Sequence, residues 1–187
     1  VIEMVSMQML TESETDPVLK EVISSLDLAV IGEKGILQAA GVDTMQRIRE
    51  TEENDFSDEF LKRVERNRKS VFVIGETQEA VDELIQELSE EYPKLVLAGA
   101  AATENCVGDL EGVINELNAA TPAVIISIIP SPKQEHFLVE HRDKINANLW
   151  YGIGGFEVHR KRSKIKGFFF NLIQRIRLKN SIEKYES

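Results

Sequence analysis

The chain has 187 residues, which at roughly 100 to 200 residues per domain makes one domain with room for a real core and leaves none for a second. Apolar residues at 42% and charged residues at 29% exclude a disordered or collagen-like chain, and no apolar run reaches the roughly 18 to 20 residues that span a bilayer. The net charge of -10 hides a split: residues 1–158 hold 13 Lys/Arg against 30 Asp/Glu, a balance of -17, whereas residues 159–187 hold 9 against 2, a balance of +7. An acidic body excludes sequence-independent nucleic-acid binding, which needs a cationic footprint. The single cysteine, Cys106, excludes an internal disulfide or a CxxC pair, and with no leader-like opening segment it fits a reducing, cytoplasmic setting.

Short Val/Ile-rich runs alternate with segments whose apolar residues recur at helical spacing, the signature of βα units around a parallel sheet. Val1 to Val5 reads as a strand. Asp16-Pro17 then reads as an N-cap and first helical turn, with Val18, Val22, Ile23 and Leu26 on one face. Leu28 to Ile31 is the next strand, and Ser57 is expected to cap a helix carrying Phe60, Leu61 and Val64. Ser70 to Ile74 is a continuous apolar strand ended by Gly75. Val81, Leu84, Ile85 and Leu88 form a helical stripe that Tyr92-Pro93 stops before a strand from Leu95 to Ala98. Leu110, Val113, Ile114 and Leu117 repeat the stripe. Ala123 to Ile129 is apolar but for Ser127, as suits a central strand, and Leu149 to Ile153 follows, giving five or six strands. Gly41 to Asp55 and Gly99 to Gly108 lack a period and are expected to be irregular.

In such a sheet, ligands settle beyond the carboxyl ends of the strands. The loops there are Gly32 to Gly35, Gly75 to Thr77, the stretch from Gly99, Pro130 to Glu135, and Gly152 to Gly155. Four of these five loops carry glycine, which lets backbone approach a phosphate, yet neither GxxxxGK[ST] nor GxGxxG occurs, so the glycines alone are weak evidence and most such loops are only turns. Ser131-Pro132-Lys133-Gln134-Glu135 is more specific, placing a cation, an amide and a carboxylate at a helix start after the most apolar strand. It reads either as a binding loop or as an ordinary helix N-terminus with Pro132 in its first turn and Glu135 favoured by the dipole. His136 and His141 lie five apart and do not share a face as a zinc pair would, so no metal is expected.

The strand followed by SPKQE and then GIGG resembles the "G-x-PKQE … GVGG" core of the WecG/TagA/CpsF glycosyltransferases. VFVIG and EEYPKLVLAG are similar to two further blocks of that family. The resemblance implies an α/β, Rossmann-like domain over residues 1–158. It also implies transfer of an N-acetylmannosamine-type sugar from a UDP-sugar donor substrate, without a cofactor, to a polyprenyl-diphosphate-linked acceptor in teichoic acid or cell-envelope synthesis. Carried over residue by residue, it places Gln134 on the UDP-sugar, with Lys133, Glu135 and Ser131 beside it and Gly75, Gly154 and Gly155 lining the nucleotide. Asp55-Phe56 resembles the family's "G-x-DL" pair, and Glu157 stands near the carboxylate that follows GVGG.

The family's catalytic Asp of "PDG-x-G" corresponds to Gly32, with Glu33 adjacent, and its Thr of "TPN" corresponds to Met4. Glu33 and Glu157 are therefore the candidate catalytic carboxylates. The alternative is a catalytically inactive relative that acts as a membrane-surface binding or regulatory protein. The resemblance also implies a strand-helix unit that precedes the matched region in the family and is not in this sequence, so a fragment is one expectation.

Between His159 and Ser181 there is no acidic residue, while eight Lys/Arg accompany Ile165, Phe168, Phe169, Leu172, Ile173 and Ile176 at helical spacing. Residues 159–187 thus read as a basic amphipathic appendage suited to an anionic membrane surface at the inner face of a bacterial membrane. In the family such an appendage turns arginines toward the donor diphosphate, a role carried to Arg175 and Arg177. The other reading is a helix that packs its Phe face on the body or on a second copy in a homo-oligomer.

Overall fold

A computed structural model describes residues 1–106 and 110–154. These form a six-stranded, all-parallel sheet in the order β2-β1-β6-β5-β3-β4, flanked by helices on both faces. The strands are β1 (Ile2–Val5), β2 (Leu28–Ile31), β3 (Ser70–Gly75), β4 (Val96–Ala102), β5 (Val124–Ser127) and β6 (Leu149–Gly152). The helices are α1 (Met7–Glu12), α2 (Pro17–Ser25), α3 (Lys34–Ala39), α4 (Met45–Glu52), α5 (Asp55–Arg66), α6 (Gln78–Glu91), α7 (Glu111–Ala120) and α8 (Lys133–His141). The expected α/β class holds, and the expected central strand is β5, whose four residues, Ser127 among them, are all buried.

Side-chain alternation along the strands feeds two cores. On one face Met4, Val71, Val73, Ile126 and Tyr151 meet α5 and α6 through Leu61, Val64, Val81, Leu84 and Leu88. On the other, Phe72, Ile74, Ile125 and Trp150 meet α7 and α8 through Val113, Ile114, Leu117, Phe137 and Leu138. The stripes read for α5, α6 and α7 belong to these faces; on α2 only Val22 of the expected stripe is buried, together with Leu19, and Leu26 lies past the helix end. Asp16 caps α2 as expected, its Oδ1 accepting the N–H groups of Val18 at 2.9 Å and Leu19 at 3.1 Å.

Three expectations are corrected. Ser57 is not a cap: α5 starts at Asp55 behind a left-handed Asn54, and Ser57 is fully buried inside the helix. Its hydroxyl shares a 2.5 Å hydrogen bond with the Tyr151 hydroxyl and lies 2.8 Å from Asn54 Oδ1. The stretch from Gly41 to Asp55 is not irregular throughout, because it holds α4. That helix has no buried residue and so carries no apolar stripe. Thr44 Oγ1 caps it, and it is braced by a Gln46–Glu50 hydrogen bond of 2.8 Å and a Lys34–Glu52 ion pair of 2.7 Å. Gly99 to Gly108 is likewise ordered at its start, since β4 runs on to Ala102 and a 3-10 turn covers Thr103–Asn105. Gly99 pairs with Phe72 in the β3–β4 register, where an added Cβ would lie 2.8 Å from the Phe72 ring; smallness, not strand propensity, is what the position requires.

Candidate functional site

Two groups of residues form at the carboxyl edge of the sheet, and β1 divides them. Glu3 faces α8, whereas Met4, one residue on, faces α5, as strand alternation dictates. The Val5 carbonyl then accepts the Gly32 N–H at 3.0 Å, which ties the turn after β2 to the end of β1.

The first group surrounds the start of α8. Gln134 is buried, and its Nε2 donates to Glu3 Oε1 at close range. The backbone of Gly152 closes over the same amide: a Cβ there would lie 2.9 Å from both Gln134 Cδ and Oε1. Glu3 and Glu135 are both fully buried. Loss of hydration, together with the Glu135 carboxyl beside it, pushes Glu3 up to about 9, so Glu3 carries a proton at neutral pH. Glu3 Oε2 has no hydrogen-bond partner, and among the described residues neither do Ser131 Oγ, Gln134 Oε1 and both Glu135 oxygens. Such atoms are costly to bury, and those of Ser131, Gln134 and Glu135 are concentrated within five consecutive positions.

Lys133 is turned away from this cluster and pairs with Glu76, which follows β3. The bridge spans neighbouring strands β5 and β3 whose following helices, α8 and α6, lie on opposite faces, the position where open α/β sheets form a binding crevice. The Glu76 carbonyl also takes the Glu104 N–H at 3.0 Å, anchoring the end of β4 to the same loop. Gly154 adopts a left-handed φ of 53°, which favours glycine, and its N–H reaches the Ser127 carbonyl at 3.3 Å. Gly75 is a close-packing position, where a Cβ would come within 2.7 Å of Val81 Cγ2 and 3.0 Å of Ile128 Cγ1.

The second group is a pocket of about 590 Å³ between the end of β2 and helices α3, α4 and α5. Val30, Ile31, Ile36, Leu37 and Phe56 give it apolar walls, while Arg47, Glu50, Thr51, Asn54, Asp55 and Glu59 supply polar ones. Its volume lies within the roughly 300 to 1,000 Å³ of small-molecule sites. Asp55 is a first-turn residue of α5, and Glu33 sits in the turn directly after the lining residue Ile31, half-buried at the cap position of α3 without capping it. Met4 is buried, its sulfur 3.7 Å from Ser57 Oγ, and so belongs to the core. Gly155, Glu157, Arg175 and Arg177, with the whole 159–187 appendage, lie outside the described residues.

The profile of the Glycosyl transferase WecG/TagA/CpsF family matches residues 1–159. The chain belongs to this family. An N-acetylglucosaminyldiphosphoundecaprenol N-acetyl-beta-D-mannosaminyltransferase of Bacillus spizizenii is 25% identical over 163 residues, covering 85% of this chain and 62% of the relative. Enzymes of the same name from Staphylococcus aureus are 28% identical over 104 residues, covering 54% of this chain and 39% of the relative. The chain therefore spans less than two thirds of the length of these curated relatives.

Glu3, Glu76 and the polar lining on α4 were not singled out from the sequence. Glu3 did leave a trace there, as a lone carboxylate inside an apolar strand. Replacing Gly152 by alanine is expected to cost about 1 to 3 kcal/mol of stability through overpacking, because the added methyl meets the Gln134 amide. Chemical denaturation of Gly152→Ala against the unsubstituted chain measures this.

Proposed function

We propose that the chain carries the sugar-transfer core of an N-acetylmannosaminyltransferase that uses a UDP-sugar and an N-acetylglucosaminyl-diphosphopolyprenol acceptor. The observation that carries the reading is the pocket at the end of β2, with Asp55 in its wall and Glu33 in the adjoining turn. An acceptor hydroxyl attacks the anomeric carbon of the donor, the bond to UDP breaks, and the hydroxyl proton passes to a carboxylate. Glu33 takes that proton, with Glu157 the alternative, and Asp55 holds acceptor hydroxyls. Gln134, Lys133, Ser131 and Glu135, with the backbone at Gly75, Gly154 and Gly155, bind the donor. Arg175 and Arg177 stabilise the departing diphosphate. Residues 159–187 hold the chain on the anionic inner face of the membrane, in accord with the absence, among the described residues, of any helix long and apolar enough to cross it.

The second reading, a catalytically inactive relative that binds donor or lipid, is favoured by one feature: Met4 is a core residue and Gly32 has no side chain, so neither family catalytic position can move a proton.

Donor binding separates the functional readings from a purely structural resemblance. Calorimetric titration is expected to show binding of UDP and UDP-N-acetylmannosamine, weakened at least tenfold by Gln134→Ala. Incubation of the donor with an N-acetylglucosaminyl-diphosphoprenol in anionic vesicles is then expected to give a disaccharide lipid. No binding by a folded sample overturns both readings as far as the donor is concerned; binding without transfer overturns the first.

A further inference from the structure

The strand carboxyl Glu3 has no place in the reaction just described, yet it holds Gln134, one of the side chains on which donor recognition rests. We propose that Glu3 is a positioning residue for Gln134: by accepting the Nε2–H bond beneath α8 it fixes the amide so that Oε1 is the free end left for the donor. This rests on the reading of Gln134 as a donor contact.

Four observations support it. Both residues are buried, Gln134 at 2% and Glu3 at 0% exposure, so water does not compete for the bond. Gln134 Nε2 is committed to Glu3 Oε1, while Oε1 has no partner among the described residues. The close approach of Gly152 leaves the amide no room to swing toward β6. Finally, a primary amide has two chemically different ends, and only a neighbour of fixed polarity tells them apart. An acceptor at Glu3 Oε1 selects the amino end, and an apolar residue at position 3 selects neither. The Glu135 carboxyl lies beside Glu3, so a group at position 3 that accepts on one side and can donate on the other suits both neighbours. A protonated carboxyl does this, and so does a glutamine.

This symmetry gives the test a conservative rescue. Glu3→Gln, Glu3→Leu and Glu3→Asp are prepared in the full chain with ¹⁵N label, and the Gln134 side-chain amide signals are assigned by their loss in Gln134→Glu. Calorimetry with UDP-N-acetylmannosamine follows on the same samples. Glu3→Gln is expected to keep the Gln134 amide signals slowly exchanging and donor affinity within about threefold of the unsubstituted chain. Glu3→Leu is expected to lose the protected amide and at least tenfold in affinity, while remaining folded by circular dichroism. Should Glu3→Leu fail to fold, Glu3→Asp, which withdraws the acceptor by one methylene, is expected to give the same losses. Unchanged amide signals and affinity in folded Glu3→Leu or Glu3→Asp overturn the proposal, as does a Glu3→Gln variant that behaves like Glu3→Leu. If the unsubstituted chain binds no UDP-sugar, the donor reading of Gln134 fails and the role given to Glu3 fails with it. The amide signals then report separately whether Glu3 holds Gln134.

Discussion

Raising the pH from about 5 to about 8 is expected to lower the unfolding free energy of this chain by on the order of 3 kcal/mol, and Glu3→Gln is expected to remove most of that slope. In the folded chain Glu3 is held protonated up to about 9, by burial and by Glu135, whereas unfolding returns it to the ordinary carboxylate range near 4.5. Between those values the folded state holds one proton more than the unfolded state, so each rise in pH favours unfolding. The stabilising contribution is complete below the unfolded value and is lost as pH climbs through the folded one. The groups facing Glu3 set this balance. Glu135 on α8 raises it, while Gln134 on α8 and the Val1 amino group at the head of β1 oppose the rise; β6 and β2 present only Gly152 and Ala29 at the paired positions. Glu83 is also raised, by burial and by Glu79, and adds to the slope in the same sense, whereas the remaining shifted acids act elsewhere. Asp16 and Asp27 are lowered by their backbone, histidine and amino-group partners and matter only in acid, where they work in the opposite sense. Tyr151 is pushed up to about 12 by burial and titrates above the range. Urea unfolding at several pH values measures the slope. A flat profile for the unsubstituted chain would show that Glu3 is ionised in the folded state. Since glutamine donates and accepts without a proton to lose, the variant is expected to match the parent near pH 5 and to exceed its stability at pH 8.

Buried apolar stripes made most of this fold legible in the sequence. Leu61 and Val64, or Val81, Leu84 and Leu88, have the spacing of a helix face because the sheet they cover is apolar on that side. α4 was illegible for the converse reason: it is held by a cap and side-chain pairs and buries nothing, so no period marks it. Ser57 misled because serine is both a good cap and, as here, a small hydroxyl that fits between Asn54 and Tyr151 within a helix; only the partner on β6, 94 positions away, distinguishes the two. The site was legible in its motif, since the residues from Ser131 to Glu135 do gather buried polar atoms at the head of α8. It was not legible in its partners. Glu3 lies 131 positions from Gln134, and Glu76 lies 57 from Lys133, distances that only the strand order β1-β6-β5-β3 brings to contact. A pattern read along the chain finds side chains that share an element, and those that meet across strands need the topology.

Glu33→Gln is expected to reduce sugar transfer by about 10²- to 10⁴-fold while leaving UDP-sugar affinity within about threefold, because it removes a proton acceptor and keeps the side chain's shape. Glu33 is the nearest ionisable residue to the family's Asp slot. It is half-buried in the turn beyond Ile31, and it spends no hydrogen bond capping α3. Those properties suit a base that meets substrate. Its neighbour supplies the complementary experiment. Gly32 does not have a left-handed backbone, unlike Gly41 and Gly154, so an aspartate is compatible with its conformation. If Glu33 has taken over the role, Gly32→Asp adds little to the parent rate and rescues Glu33→Gln by at least tenfold. If the chain is an inactive relative, the parent and Glu33→Gln transfer no sugar, and Gly32→Asp is the variant in which transfer appears. Steady-state transfer from radiolabelled UDP-N-acetylmannosamine to a vesicle-borne acceptor, run on all four proteins, distinguishes these outcomes. A parent that transfers sugar and a Glu33→Gln variant that transfers it equally fast would remove Glu33 from the reaction and move the proton to a carboxylate beyond Gly154, with Glu157 the first to test.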